Sequence, residues 1–122
     1  MNENIACFPE RQLQPFAEPV SSDVLVTGEV YFAVTYVDDA MEIPIIETFV
    51  FIGIDLEHET NGTLYFQDVE SHRAGILFGA TETDKDANFF VCAPDQLKST
   101  FRFENALDEL MRCSLRRAGK AV

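Results

Sequence analysis

Residues 24–56 read VLVTGEVYFAVTYVDDAMEIPIIETFVFIGIDL, and the alternation in this stretch decides the fold. Val24, Val26, Val30, Phe32, Val34 and Tyr36 share one parity, with Gly28 among them; Thr27, Glu29, Tyr31, Ala33 and Thr35 take the other. Residues 43–57 behave alike, with Ile46, Val50, Ile52, Ile54 and Leu56 on one face and Ile45, Glu47, Phe49, Phe51 and Asp55 on the other. A period of two places successive side chains on opposite faces of an extended chain, so each half predicts a long strand. The short acidic connection Asp38–Glu42 predicts an antiparallel hairpin. A five-residue loop at 38–42 sets Val34 opposite Ile46, Val30 opposite Val50 and Tyr31 opposite Phe49. Pro44, having no N–H, is expected to turn its nitrogen away from a ladder partner.

Working outward, Thr60-Asn61-Gly62 predicts the next turn. A two-residue Asn61-Gly62 loop would oppose Asp55 to Asp68 and put Gln67 on the apolar face, and opposed like charges are unfavourable. A three-residue loop with left-handed Gly62 pairs Leu56 with Phe66 and keeps Leu64 on the same side. All three strands then offer their even-numbered residues to one core. Ile76-Leu77-Phe78 and Phe89–Cys92 predict two shorter strands around the polar loop Thr81–Ala87, and Thr100–Phe103 reads as a short strand or an extended lead-in. Asn105 is the expected N-cap of a helix over 105–118, ended by Gly119, with Leu107, Leu110, Met111, Leu115 and Ala118 as its apolar stripe and an Asp108–Arg112 pair on its surface. Residues 1–22 hold Pro9, Pro15 and Pro19 and predict an extended arm, pinned by Phe8, Leu13 and Phe16. The fold class is α+β: one domain over 1–122, with an arm (1–22), a mainly antiparallel sheet of about five strands (23–103) and a C-terminal helix packed on it (105–118).

The 122 residues carry 21 acids against 9 bases, a net charge of −12, and 47% apolar side chains with 11 Phe. Enough apolar surface is available to offset the ordering entropy, which excludes a disordered acidic tail. So few Lys and Arg argue against nucleic-acid binding, and no apolar run approaches the length of a membrane span. The first residues lack the basic and apolar regions of a secretory signal. Cys7, Cys92 and Cys113 form no Cys-x-x-Cys pair, which fits reduced thiols in the cytoplasm. His58 and His72 lie far from them, so neither a metal nor another cofactor is expected.

Charge is segregated. Between Arg11 and Arg73 there are twelve acids and no Lys or Arg, whereas residues 98–122 hold six bases and three acids. Such a surface either maintains solubility, with the basic helix lying against the acidic sheet, or steers a basic partner. The second face of the sheet gathers Tyr31, Phe49, Phe51 and Tyr65, with Glu29 and Glu47 around them, and a contiguous aromatic patch in water marks an interaction surface. These six residues are the candidate partner- or ligand-binding site. The sequence thus reads as a non-enzymatic, acidic protein-interaction module, homodimeric, with a basic protein as a further partner in an inhibitor, immunity or adaptor role. The alternative is a small-ligand domain whose aromatic pocket lies between sheet and helix. Ser71-His72 beside Asp68 and Glu70 suggests a hydrolase only weakly, because triads are assembled from separated segments and no Gly-x-Ser-x-Gly elbow is present.

Overall fold

The computed structural model describes residues 4–79 and 87–120; apart from Ala87, the expected polar loop lies outside them. β1 (Val30–Tyr36), β2 (Pro44–Ile54), β3 (Leu64–Asp68), β4 (Phe89–Cys92) and β5 (Thr100–Phe101) form one antiparallel sheet in the order β4-β3-β2-β1-β5. A short helix, α1 (Val69–Arg73), follows β3, and α2 (Phe103–Arg117) closes the chain. The α+β class, the antiparallel sheet and the C-terminal helix stand as read from sequence.

The hairpin has the expected register: Val30 faces Val50, Tyr31 faces Phe49 and Val34 faces Ile46. The β-branched and aromatic residues of both strands suit a pleated, half-buried surface. The first strand starts at Val30 rather than Asp23, because Ser22–Val24 form a 3-10 turn capped by the Ser21 hydroxyl and Gly28 sits at φ 91°.

β2 and β3 pair differently from expectation. Phe51 faces Phe66 and Val50 faces Gln67, whereas beyond a bulge at Ile52 Gly53 faces Tyr65 and Ile54 faces Leu64. One extra residue on one strand reverses the parity of everything after it. Phe66 and Leu64 therefore join the odd-numbered residues of β1 and β2, and Tyr65 and Gln67 turn to the other face. Gly53 makes this possible: its φ is +151°, and a Cβ there would lie 2.8 Å from Leu56 Cδ2. The connection is also longer than three residues. Asp55 donates its N–H to Thr63 and its carboxylate accepts from the amides of Gly62 and Thr63, closing the loop from its base. Gly62 does adopt the left-handed conformation (φ 75°). Gln67 is buried in the core after all, because its amide nitrogen donates to Ser71 Oγ and to the Ile76 carbonyl; a satisfied polar group can be buried without the full desolvation cost.

Both faces are covered from within the chain. On the odd face Tyr31, Phe51, Leu64 and Phe66 cluster with Val20 of the arm and with Leu97, which follows a 3-10 turn at Pro94–Gln96. On the even face Val34 and Phe101 cluster with Ala17 and Ala106, flanked by Phe32, Tyr36 and Leu110, so α2 covers β1 and β5. Further along this face, α1 lies against β2 and β3, and Phe78 stacks edge-on between Tyr65 and Phe89. Ile76–Phe78 therefore cover the sheet rather than adding a strand. The arm is held by Ala17, Val20 and an Arg11 ion pair to Asp108 (2.7 Å), while Phe8 and Phe16 stay exposed. Its Val20 N–H bonds the Thr100 carbonyl and so occupies the outer edge of β5.

α2 starts at Phe103, not Asn105, and turns a different stripe inward than expected: Ala106, Glu109, Arg112 and Cys113 are buried. Asp108 pairs with Arg11 instead of Arg112, whose own guanidinium meets Glu109 and the Gln14 carbonyl. Glu109 can be buried because the Tyr36 hydroxyl donates to it and Arg116 lies 3.1 Å away, the latter guanidinium also stacking over the Tyr36 ring. Burial, reinforced by Glu109, pushes the Tyr36 phenol above its ordinary range. Burial, then the bond to Glu59, likewise holds Tyr65 up to about 12.

Gly53→Ala is expected to cost about 1–3 kcal/mol through backbone strain, read as a lowered urea midpoint. Both phenols are raised, so their stabilising contribution is complete below the unfolded tyrosine pKa of about 10 and declines as pH rises past it. A Tyr36→Phe/Tyr65→Phe double variant should flatten that alkaline decline in denaturation midpoints measured across pH.

Candidate functional site

β2 runs for eleven residues and β3 for five, so the two match over only part of their length. Their pairing ends where Phe49 faces Asp68; beyond it the chain turns into α1, with the Asp68 carboxylate capping the Ser71 N–H at 2.9 Å. Pro44–Thr48 therefore pair with β1 on one side and, among the described residues, with no strand on the other.

Backbone directions follow from the neighbouring bonds. Val34 donates to the Ser99 carbonyl, on the β5 side of β1, while Phe51 donates to the Glu29 carbonyl and Val37 to that of Ile43. In an antiparallel ladder the bonding side alternates, so the odd-numbered residues of β2 bond β1 and the even-numbered ones point away. Ile46 thus aims its N–H and C=O groups at the open side, Thr48 lies level with Val69 at the start of α1, and Pro44 aims its carbonyl outward, its missing N–H falling where the sequence placed it. Ile43, Ile45 and Ile46 are each about half exposed (54%, 43% and 51%).

Next to this edge the odd face carries a groove of about 250 Å³, lined by Glu47, Phe49, Phe66, Phe90, Cys92, Leu97 and neighbouring residues. The Phe49 ring packs edge-on against Phe90 (5.1 Å between centroids) and tilted against Phe66 (6.1 Å). Phe90 is 41% exposed at the rim. The Glu47 carboxylate is exposed, with neither ion pair nor hydrogen bond among those found between the described residues. Burial, then Asp95, push the Cys92 thiol up, which keeps it protonated and unreactive.

Of the six residues singled out from sequence, only Phe49 and Glu47 meet here. Tyr31 and Phe51 are core residues, each 3% exposed, and cannot touch a partner. Tyr65 lies on the opposite face because of the bulge, and its hydroxyl donates to Glu59 (2.8 Å). Glu29 is exposed but sits level with Phe51, about 13 Å along the strand from Glu47 at 3.3 Å per residue. The groove also lies on the face away from α2; a separate cavity of about 500 Å³ between the sheet, the arm and α2 is lined by Phe16, Tyr36, Phe101 and Glu109 among others, none of them one of the six. Ser71 and His72 are successive residues of α1, and the Ser71 hydroxyl is held by Asp68. Among the described residues no group of three or more His, Cys, Asp or Glu side chains is placed to hold a metal ion, and no helix is long and apolar enough to cross a membrane.

No protein-family model, curated protein or solved structure matches this chain. The site rests on its geometry alone. Sequence reasoning missed Phe66, Phe90 and Leu97, which come from three separated segments. It placed Ile45 on the odd face with Phe49 but assigned Ile46 to the core, whereas Ile46 is 51% exposed.

Amide hydrogen exchange should alternate along this strand: Ile46 is expected to exchange rapidly, and Ile45, Glu47 and Phe49 slowly. Uniform protection over 45–49 would contradict the open edge.

Proposed function

We propose that this chain is a non-enzymatic, cytoplasmic protein-interaction module that takes a partner polypeptide along the free edge of β2. One observation carries the reading: among the described residues, Pro44–Thr48 of a central strand have no strand beside them on one side, with apolar side chains along that side. Unpaired strand edges are templates for a further strand, and proteins ordinarily blunt them with charge, proline or a covering segment. Here the β5 edge is covered by the arm at Val20, whereas the β2 edge carries a single proline at its end and isoleucines along it. Strand addition gives affinity through main-chain bonds and specificity through alternate side chains. The Ser71 hydroxyl, held by the α1 cap Asp68, favours binding over hydrolysis, and the three free thiols suit a reducing compartment. The partner expected from sequence was to cover Tyr31 and Phe51; since the chain covers those itself, the edge of β2 replaces them as the contact surface.

A photo-crosslinking amino acid placed at Thr48, in the host cell, is expected to label a discrete polypeptide, while the same group at exposed Glu57 labels none. Equal labelling from both positions, or none from Thr48, would overturn the reading.

A further inference from the structure

Resting on that reading, we infer that the occupant of the β2 edge is an extended basic segment of another protein, with an apolar residue opposite Ile46 and a Lys or Arg opposite Glu47. The backbone sets the first requirement. A strand laid antiparallel along β2 exchanges both bonds with Ile46, stops short of Thr48 where α1 begins alongside, and accepts nothing from Pro44, so pairing centres on Ile46. Directly opposed residues share a face. The residue opposite Ile46 shares the even face with that half-exposed side chain and is matched by a branched apolar group. Its neighbour opposite Glu47 lies on the odd face.

There the groove specifies charge. Glu47 stands at the edge without an ion pair among the described residues, and behind it lie the rings of Phe49 and Phe90. A Lys or Arg side chain extending past Glu47 rests its stem on apolar surface and its cation against a carboxylate and aromatic faces, which attract cations. The surroundings have the same sign. Asp39 and Glu42 lie in the turn before β2 and Glu70 in the first turn of α1; residues 12–72 contain no Lys or Arg. Among the bases of the described residues, Arg73 is exposed on the last turn of α1, Lys98 is exposed between the groove residues Leu97 and Thr100, and the Arg116 guanidinium is already bonded to the Met41 carbonyl, Tyr36 and Glu109. Charge complementarity also decides against a second copy of this chain. Its own β2 offers Ile45 and Glu47 where the groove calls for a cation, and it brings a further net charge of −12 to a surface of the same sign.

The test uses fluorescence anisotropy of a labelled peptide of alternating Lys and Val, with three controls: alternating Glu and Val, alternating Thr and Val, and the Lys–Val peptide N-methylated on alternate amides. The Lys–Val peptide is expected to bind and to weaken with added salt, with the neutral peptide at least about tenfold weaker and the acidic and N-methylated peptides showing no binding. Ile46→Pro, which removes an outward N–H that β1 does not use, should abolish binding, and Glu47→Gln should weaken it several-fold and flatten its salt dependence. Equal binding of the neutral peptide, or of the N-methylated one, overturns the inference; the peptide arm stands even if Ile46→Pro fails to fold. Sedimentation of the unliganded protein supplies the remaining arm. A dimer that strengthens with salt and is broken by Ile46→Pro assigns the edge to a second copy, which overturns the basic-segment inference and leaves the interaction-module reading intact. Absence of both peptide binding and self-association, with no crosslink from Thr48, overturns the two together.

Discussion

The arrangement of this protein turns on a single residue of excess in β2. Pairing Phe51 with Phe66 on one side of Ile52, and Gly53 with Tyr65 on the other, reverses the parity of the strand within one step. Because side chains alternate across a sheet, that step assigns whole sets of residues to faces. It sends Phe66 and Leu64 into the cluster with Tyr31 and Phe51, under Val20 and Leu97, and leaves Tyr65 and Gln67 to be covered by α1 and the segment around Phe78. The glycine at the step has a backbone conformation closed to other residues and a Leu56 side chain filling the space of a Cβ.

Strand length is the second constraint, and it produces the candidate site. β3 pairs with less than half of β2 before Asp68 caps α1 and the chain leaves the sheet. The same turn into α1, where Asp68 caps the Ser71 N–H, thus leaves Ile46 without a strand beside it among the described residues. The other side of the sheet is finished differently: β5 is only two residues long, and the arm bonds across it at Val20. The outer edge of β5 is thus bonded by the arm, whereas the part of central β2 that outruns β3 has no strand beside it among the described residues, and the groove opens next to it.

Electrostatics divide along similar lines. Within the basic C-terminal region, Arg112 and Arg116 gather around buried Glu109, with Tyr36 as a shared donor and acceptor, while Lys98, Arg102, Arg117 and Lys120 are exposed. Arg11 is drawn onto Asp108 and Glu104, tying the arm to the helix. Bases so engaged are not available to pair with the acids around β2, and Glu47 has no ion pair among the described residues. Removing one member of the Glu109 group would leave buried charge without compensation, the costliest kind of change in such a cluster.

The hairpin was legible from sequence because both of its determinants are local: period two in residues 30–54 and a short loop at 38–42 dictate Val34 against Ile46 and Val30 against Val50. Pro44 likewise declared its outward nitrogen, since its missing N–H is a property of the residue itself. The α+β class and the C-terminal helix follow from the same kind of pattern. Which face Tyr65 and Phe66 occupy was not legible, because a bulge changes parity without changing composition, and Gly53 looks the same in sequence whether it bulges or not. Gln67 seemed unfit for the core until Ser71 and Ile76 were brought to its amide by a helix that the sequence pattern did not announce. The candidate site was half readable: Glu47 and Phe49 belong to the local alternation, whereas Phe66, Phe90 and Leu97 join them through pairings and a crossover between distant segments. Local periodicity determines which residues share a strand face; only the packed sheet decides which faces meet, where one strand outruns its neighbour, and which backbone groups are left for another chain to satisfy.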